Sequence, residues 1–211
     1  ISEDPYLTGT MAASQVKGMG YAGVTGTIKH FATNNQEFHR RDTDAVVSER
    51  ALREIYLKGF ELAVKEGGAY SVMTTYGALN GIWTAGNYDL VTTVLRGEWG
   101  FDGIAMTDWW AAMNEEGEEP SLKNTGVMVR AQNDLFMVTG DSASNAMGDD
   151  SMEAIAEGRT TRGEYQRCAA NICRMLMRSP VMDRFLGKTP EDDLVVLGGE
   201  NDADEMPPDL V

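Results

Sequence analysis

Hydrophobic positions along the chain change period from segment to segment, and the changes predict alternating strands and helices. Gly23 to Ala32 is short and β-branched at Val24, Thr25, Thr27 and Ile28, and reads as a strand. Ser48 to Glu66 carries Leu52, Ile55, Gly59 and Leu62/Ala63 on one helical face. Ser48 can cap that helix, Glu49 sits in its first turn, and Gly67-Gly68 stops it. Tyr70 to Tyr76 reads as the next strand. A second helix follows, capped by Asn87 or Asp89, carrying Leu90, Val91, Val94 and Leu95 and ending by Gly97 or Gly100. Gly103–Thr107 and Leu135–Val138 are further strands, Ser151–Glu157 a short helix, and Arg162–Met177 a longer one stopped by Ser179-Pro180.

Strand–helix units repeating about every 30 residues are βαβ modules, which require a parallel sheet with crossover helices outside it. A doubly wound sheet usually carries a Gly-rich phosphate loop after its first strand, and none is present here. The fold class expected is therefore α/β, a (β/α)8 TIM-barrel type. A whole barrel needs eight strands and about 250 residues. The chain has 211 residues with four or five strand signals, so it reads as the latter part of an incomplete barrel over residues 1–188. From 189 to 211 the pattern stops. Glu191, Asp192, Asp193, Glu200, Asp202, Asp204, Glu205 and Asp209 lie there without any basic residue, the composition of an acidic tail or linker.

Charge narrows the function classes. A net charge of −15 opposes binding to nucleic acid or to an anionic membrane surface, both of which need clustered Lys and Arg. No stretch approaches the ~20 apolar residues of a membrane helix. Cys168 and Cys173 lie five apart in a helical pattern, on different faces, which argues against a disulfide between them. Two half-buried thiols favour a reducing, cytoplasmic compartment. The chain begins at Ile1 and reads as if it starts within a longer protein, so export signals are not legible.

In a barrel the C-terminal ends of the strands share the face that carries chemistry. The first strand ends in Lys29 and His30, followed by Asn34, Asn35, Gln36 and Glu37. The second runs through Met73 to Tyr76, and the third leads into Asp108, Trp109 and Trp110. A cation, an imidazole, a phenol, a carboxylate and an indole would meet on one rim. Such a set suits a sugar, whose hydroxyls need polar partners and whose apolar face rests on aromatic rings. Each group also has a plainer reading: Asp108 as a loop-opening residue, Lys29-His30 as an ion pair with Glu37, Met73 and Tyr76 as core. Glu37 and His39 could offer two metal ligands, but no third is evident.

The motifs resemble glycoside hydrolase family 3, in its β-glucosidase branch. Lys29-His30-Phe31-Ala32-Thr33-Asn34-Asn35-Gln36-Glu37 with Arg40 resembles the family's lysine–histidine motif. Ser48–Leu57 resembles its outer helix, and Val72-Met73-Thr74-Thr75-Tyr76 with Asn80-Gly81 its next strand and loop. Leu95–Gly103 leading to Thr107-Asp108-Trp109 resembles the nucleophile motif, with Thr where Ser is usual. Ser2–Leu7 and Ala131–Leu135 are similar to flanking segments, so the resemblance covers roughly residues 2–180.

The resemblance implies a retaining double displacement through a glycosyl-Asp108 intermediate. Lys29, His30 and Arg40 would hold sugar hydroxyls, Tyr76 would orient the nucleophile, and Met73 and Trp109 would line the pocket. No metal or organic cofactor is implied. The substrate would be a β-glucoside or short β-linked oligosaccharide. The general acid/base and the early barrel strands would come from outside this chain. A β-xylosidase of the same family and a non-catalytic fragment are the alternatives. The segment after Lys29-His30 lacks the Gly-rich loop of the family's N-acetylglucosaminidases.

Overall fold

A computed structural model describes residues 2–141, 143–179, 182 and 185–187. In chain order the elements are helix α1 (Pro5–Tyr21), strands β1 (Thr27–Phe31) and β2 (Asp44–Ala45), and a helix in three parts: α2 (Glu49–Ala51), a π-helical segment π1 (Leu52–Tyr56) and α3 (Lys58–Lys65). There follow β3 (Ser71–Thr74), β4 (Ala78–Leu79), β5 (Ile82–Trp83), a second π-helical segment π2 (Asp89–Glu98), β6 (Ile104–Trp109), α4 (Thr125–Arg130), β7 (Leu135–Met137), α5 (Ser151–Ala156) and α6 (Arg162–Arg178). The chain divides into two units, residues 1–179 and 180–211. All the named elements belong to the first. In the second, the Leu186 N–H donates to the Met182 carbonyl at 2.9 Å, closing one helical turn. The expected boundary at 188/189 and the acidic tail lie outside the described residues.

Four strands form one sheet in the order β1-β3-β6-β7, every neighbouring pair parallel. Helical segments separate them in sequence, which is the α/β alternation the pattern predicts, over an arc of a barrel. Thr27 pairs with Ser71, Ser71 with Ile104, and Met106 with Leu135. Because all four strands run the same way, their C-terminal ends share one rim.

The main core lies between this sheet and the helices outside it. Phe31, Leu57, Val72, Val91, Leu95 and Ala105 are buried there together. Phe31 meets Phe60 edge-on at 5.1 Å and Trp99 at 5.9 Å, an arrangement that adds quadrupole attraction to area burial. With Phe31 turned outward to the helices, the alternation of a strand turns its neighbour His30 the other way.

The helix starts follow their caps. Ser48 Oγ accepts from the Ala51 N–H at 3.3 Å. Of the two candidates for the second helix, Asn87 is the cap, its Oδ1 accepting from the Leu90 N–H at 2.9 Å. Thr161 and Glu164 make a reciprocal capping box at α6. The helix over 49–65 is interrupted: the Leu57 N–H donates to the Leu52 carbonyl at 2.8 Å, an i→i+5 bond of a π turn.

Two features go beyond the elements predicted from pattern. Asp4 caps α1 by accepting from the Tyr6 and Leu7 N–H groups, with Pro5 in the first turn. The buried face of α1 is Gly9, Ala13 and Val16, too small to announce itself by hydrophobic period. A second sheet, β2-β4-β5, joins the segment after β1 to the one after Tyr76 and pairs β4 parallel to β2 and antiparallel to β5. Both cysteines are free, as their spacing led one to expect, but neither is half-buried: Cys168 is buried and Cys173 is exposed. Burial pushes the Cys168 thiol up to about 12, which keeps it protonated and unreactive.

Candidate active site

Asp108 lies near the end of β6 with only 6% of its surface exposed. Its Oδ1 accepts from the Trp109 N–H at 2.7 Å, so one carboxylate oxygen is tied to the backbone that follows it. Its Oδ2 lies 3.4 Å from His30 Nε2, contributed by β1 two strands away. The His30 pKa is lowered from its ordinary 6.5, chiefly by burial, with the Asp108 charge opposing that and Lys29 and Arg40 adding to it. His30 is therefore neutral near pH 7, and the contact is attractive with the proton on Nε2.

Tyr76, two residues past β3, is buried beside the same carboxylate. Its phenol pKa is raised first by burial, then by the Asp108 charge and by a hydrogen bond to Asp108, while Arg41 and Arg40 pull it back. A neutral phenol that donates to a carboxylate stabilises the carboxylate as an anion. The two arginines lie over the Tyr76 ring, Arg40 at 4.9 Å and Arg41 at 4.4 Å from its centroid.

The segment between β1 and β2 carries those arginines and is tied down at both ends. Glu37 accepts from Asn34 at 3.0 Å and from Arg40 at 2.9 Å. The ion pair weighed for Glu37 with Lys29-His30 is thus made with Arg40. His39 faces Asp42 at 3.6 Å, away from any shared site with Glu37. At the other end the Ala78 N–H donates to the Thr43 carbonyl at 2.9 Å. Gly77 permits this approach: a Cβ there would lie 2.8 Å from the Thr43 carbonyl oxygen and 3.3 Å from that of Arg40.

The remaining expected residues are distributed around this centre. Met73 is buried on β3, paired with Met106 of β6. Trp109 is partly exposed at the strand end, and Trp110 next to it adopts φ +53°, a costly conformation for a bulky side chain. Lys29 is exposed and, with His30, lines a groove of about 780 Å³ along β1 that is also bounded by α1 and α3 residues such as Val16, Met19 and Phe60. The structure thus gathers His30, Tyr76, Asp108, Trp109 and Arg40 closely and leaves Lys29 open to solvent.

Two contributors were not singled out from sequence. Arg41 donates to the Tyr76 phenol oxygen at 3.4 Å, and its only sequence signal is adjacency to Arg40. Thr107 Oγ1 accepts from the Met137 N–H at 2.9 Å and donates to the Asp108 carbonyl at 2.8 Å, locking β6 to β7 beside Asp108.

Comparison with known proteins identifies relatives of the chain. The glycosyl hydrolase family 3 N-terminal domain matches residues 1–175. A β-glucosidase of Ruminococcus albus is 56% identical over 194 residues, covering 92% of this chain and 20% of that protein. A β-glucosidase of Paenibacillus barengoltzii has a similar structure, with TM-score 0.84 and 60% identity over 86% of this chain and 20% of that one. β-Glucosidase 3B of Thermotoga neapolitana, solved in complex with glucose, gives TM-score 0.76 and 42% identity over 90% of this chain and 26% of that one. The chain therefore spans a fifth to a quarter of the length of these relatives.

Proposed function

The chain belongs to glycosyl hydrolase family 3, and from that premise we propose that it supplies the nucleophile side of a retaining β-glucosidase, with residues 1–188 as part of the catalytic barrel and 189–211 as a tail or linker. The observation that carries this reading is the convergence of His30, Tyr76 and the Trp109 N–H on the buried Asp108 carboxylate. Three groups on or just past three parallel strands surround one carboxylate, orient it and keep it anionic.

In the proposed reaction an Asp108 oxygen attacks the anomeric carbon of a terminal β-D-glucosyl residue. The bond to the aglycone breaks, and a glycosyl ester forms. Oδ1 is held by the Trp109 N–H, which leaves Oδ2 to attack. Lys29, His30 and Arg40 hold hydroxyls of the sugar, and Met73 and Trp109 wall the pocket. The aglycone oxygen takes a proton from a general acid that we place outside this chain. The same group then removes a proton from water, which attacks the anomeric carbon and releases Asp108. The glucose complex of the Thermotoga neapolitana relative supports glucose as the glycone.

An activated 2-deoxy-2-fluoro-β-glucoside tests the first step, because a good leaving group needs little acid. Intact-mass spectrometry with peptide mapping should find one sugar on the Asp108 peptide of the folded protein, and none in Asp108→Asn. A label on another residue, or none in a folded full-length protein, would overturn the assignment. The matching xyloside distinguishes the β-xylosidase alternative. A second reading, a fragment that completes its site only with other strands, is favoured by the groove along β1. Labelling in the full-length protein but not in this chain would support it.

A further inference from the structure

Tyr76 is held from behind. The guanidinium of Arg41 lies 4.4 Å from the ring centroid, and Nη2 donates to the phenol oxygen at 3.4 Å. Arg40 is differently engaged, since its Nη1 is bound by Glu37 at 2.9 Å. Among the described residues no carboxylate lies within ion-pair distance of Arg41. Its backbone is fixed: the carbonyl accepts from Trp83 Nε1 at 3.4 Å, and three residues later β2 pairs with β4. The second small sheet thus presents Arg41 to the side of Tyr76.

A phenol has one proton and two lone pairs. A cation donating to one lone pair leaves the hydroxyl proton free to point elsewhere, and polarisation makes that proton a stronger donor. The carboxylate beside this phenol is Asp108, whose charge raises the phenol's pKa. We propose that Arg41 is a positioning residue, which fixes the Tyr76 hydroxyl as a donor to the Asp108 carboxylate. The inference rests on the reading of Asp108 as nucleophile. It adds a residue outside the sugar-binding set, acting through Tyr76 and not on the substrate. The charged groups around the phenol are Asp108 from β6 and Arg40 and Arg41 from the segment before β2, with His30 of β1 on the far side of Asp108.

The test uses fluoroglucoside labelling of the full-length protein, with Arg41→Leu, Arg41→Lys, Tyr76→Phe and the Leu/Phe double variant. Arg41 is exposed, so its loss leaves the core intact. Arg41→Leu should lower the maximal labelling rate constant by about 3–10-fold, the scale of one exposed cation–π contact with a weak hydrogen bond, at unchanged half-saturation. Arg41→Lys should recover part of it. In the Tyr76→Phe background Arg41→Leu should add nothing, because the relay is already cut. A parallel measurement needs no activity: in protein with ¹³C-labelled tyrosine, the Tyr76 phenol should titrate at higher pH in Arg41→Leu, since the Arg41 charge holds it down. Labelling of Arg41→Leu at the wild-type rate, or simple additivity with Tyr76→Phe, would overturn the inference while leaving Asp108 as nucleophile. Absence of labelling in the wild type would instead overturn the functional reading, and an unmoved Tyr76 titration would then dispose of Arg41 as well.

Discussion

The two oxygens of Asp108 have unequal surroundings, one bound at 2.7 Å by the Trp109 N–H and the other 3.4 Å from His30 Nε2. His30 brings a pH dependence with a definite sign. Its folded pKa lies below the ordinary 6.5, so the unfolded chain binds more protons in the window just beneath that value. Stability from this site is complete above about pH 6.5 and is lost as pH falls through the folded pKa. His30→Asn should therefore flatten the fall in stability as pH drops below about 6.5 in denaturant titrations; an unchanged slope would exclude His30 as its source. The chemical types at this site were legible in the sequence, because Lys, His, Tyr, Asp and Trp fall at strand ends. Arg41 was not, since a second arginine in a polar loop looks like any solvated charge.

At the scale of elements, β6 is held by a buried ion pair as well as by its ladder. Arg96 Nη2 lies 2.5 Å from Asp134 Oδ2, and the guanidinium also donates to the carbonyls of Gln132 and Gly103. Asp134 in turn accepts from the Ala105 N–H of β6 at 3.0 Å and from Asn171 of α6 at 2.8 Å. Burial pushes the Asp134 carboxyl up, so its anionic form depends on these donors. Arg96→Met should cost about 3–5 kcal/mol in chemical denaturation by stranding that carboxylate. Pairing it with Asp134→Leu should recover a large part, since an apolar pair of similar size has no charge to desolvate. Gly77→Ala acts on the other support, driving a methyl against the Thr43 and Arg40 carbonyls. It should weaken half-saturation for the fluoroglucoside more than it lowers the melting temperature; an equal loss of both would mark Gly77 as merely structural. The long α6 was legible from its helical period, and the strands as short apolar or β-branched runs, continuously buried in β3. The α1 helix was not, because Gly9 and Ala13 pack through smallness, and β2-β4-β5 was not, because two-residue strands carry no period.

Among the described residues the parallel sheet ends at β1 on one side, with the groove of about 780 Å³ beside it. Exposed strand edges beside apolar helix faces invite further pairing. With the proposed general acid outside this chain, the isolated chain should hydrolyse cellobiose about 10²–10⁴-fold more slowly than a complete enzyme, the usual contribution of acid–base catalysis. An ordinary turnover number on cellobiose from the isolated chain would refute this. Activated substrates should suffer less, since their leaving groups depart without a proton.

The sequence by itself determined the order of strands and helices, the parallel class of the sheet and the residue types at the strand ends. These follow from local period, capping chemistry and the long crossovers that parallel strands require. Only the tertiary structure decided which of those residues meet. His30 and Asp108 are 78 positions apart and become neighbours because β1, β3 and β6 lie side by side in register. The same holds for Arg41 behind Tyr76. That contact depends on a two-residue strand, a glycine that admits two carbonyls, and an indole that holds one more, and none of these leaves a period in the chain.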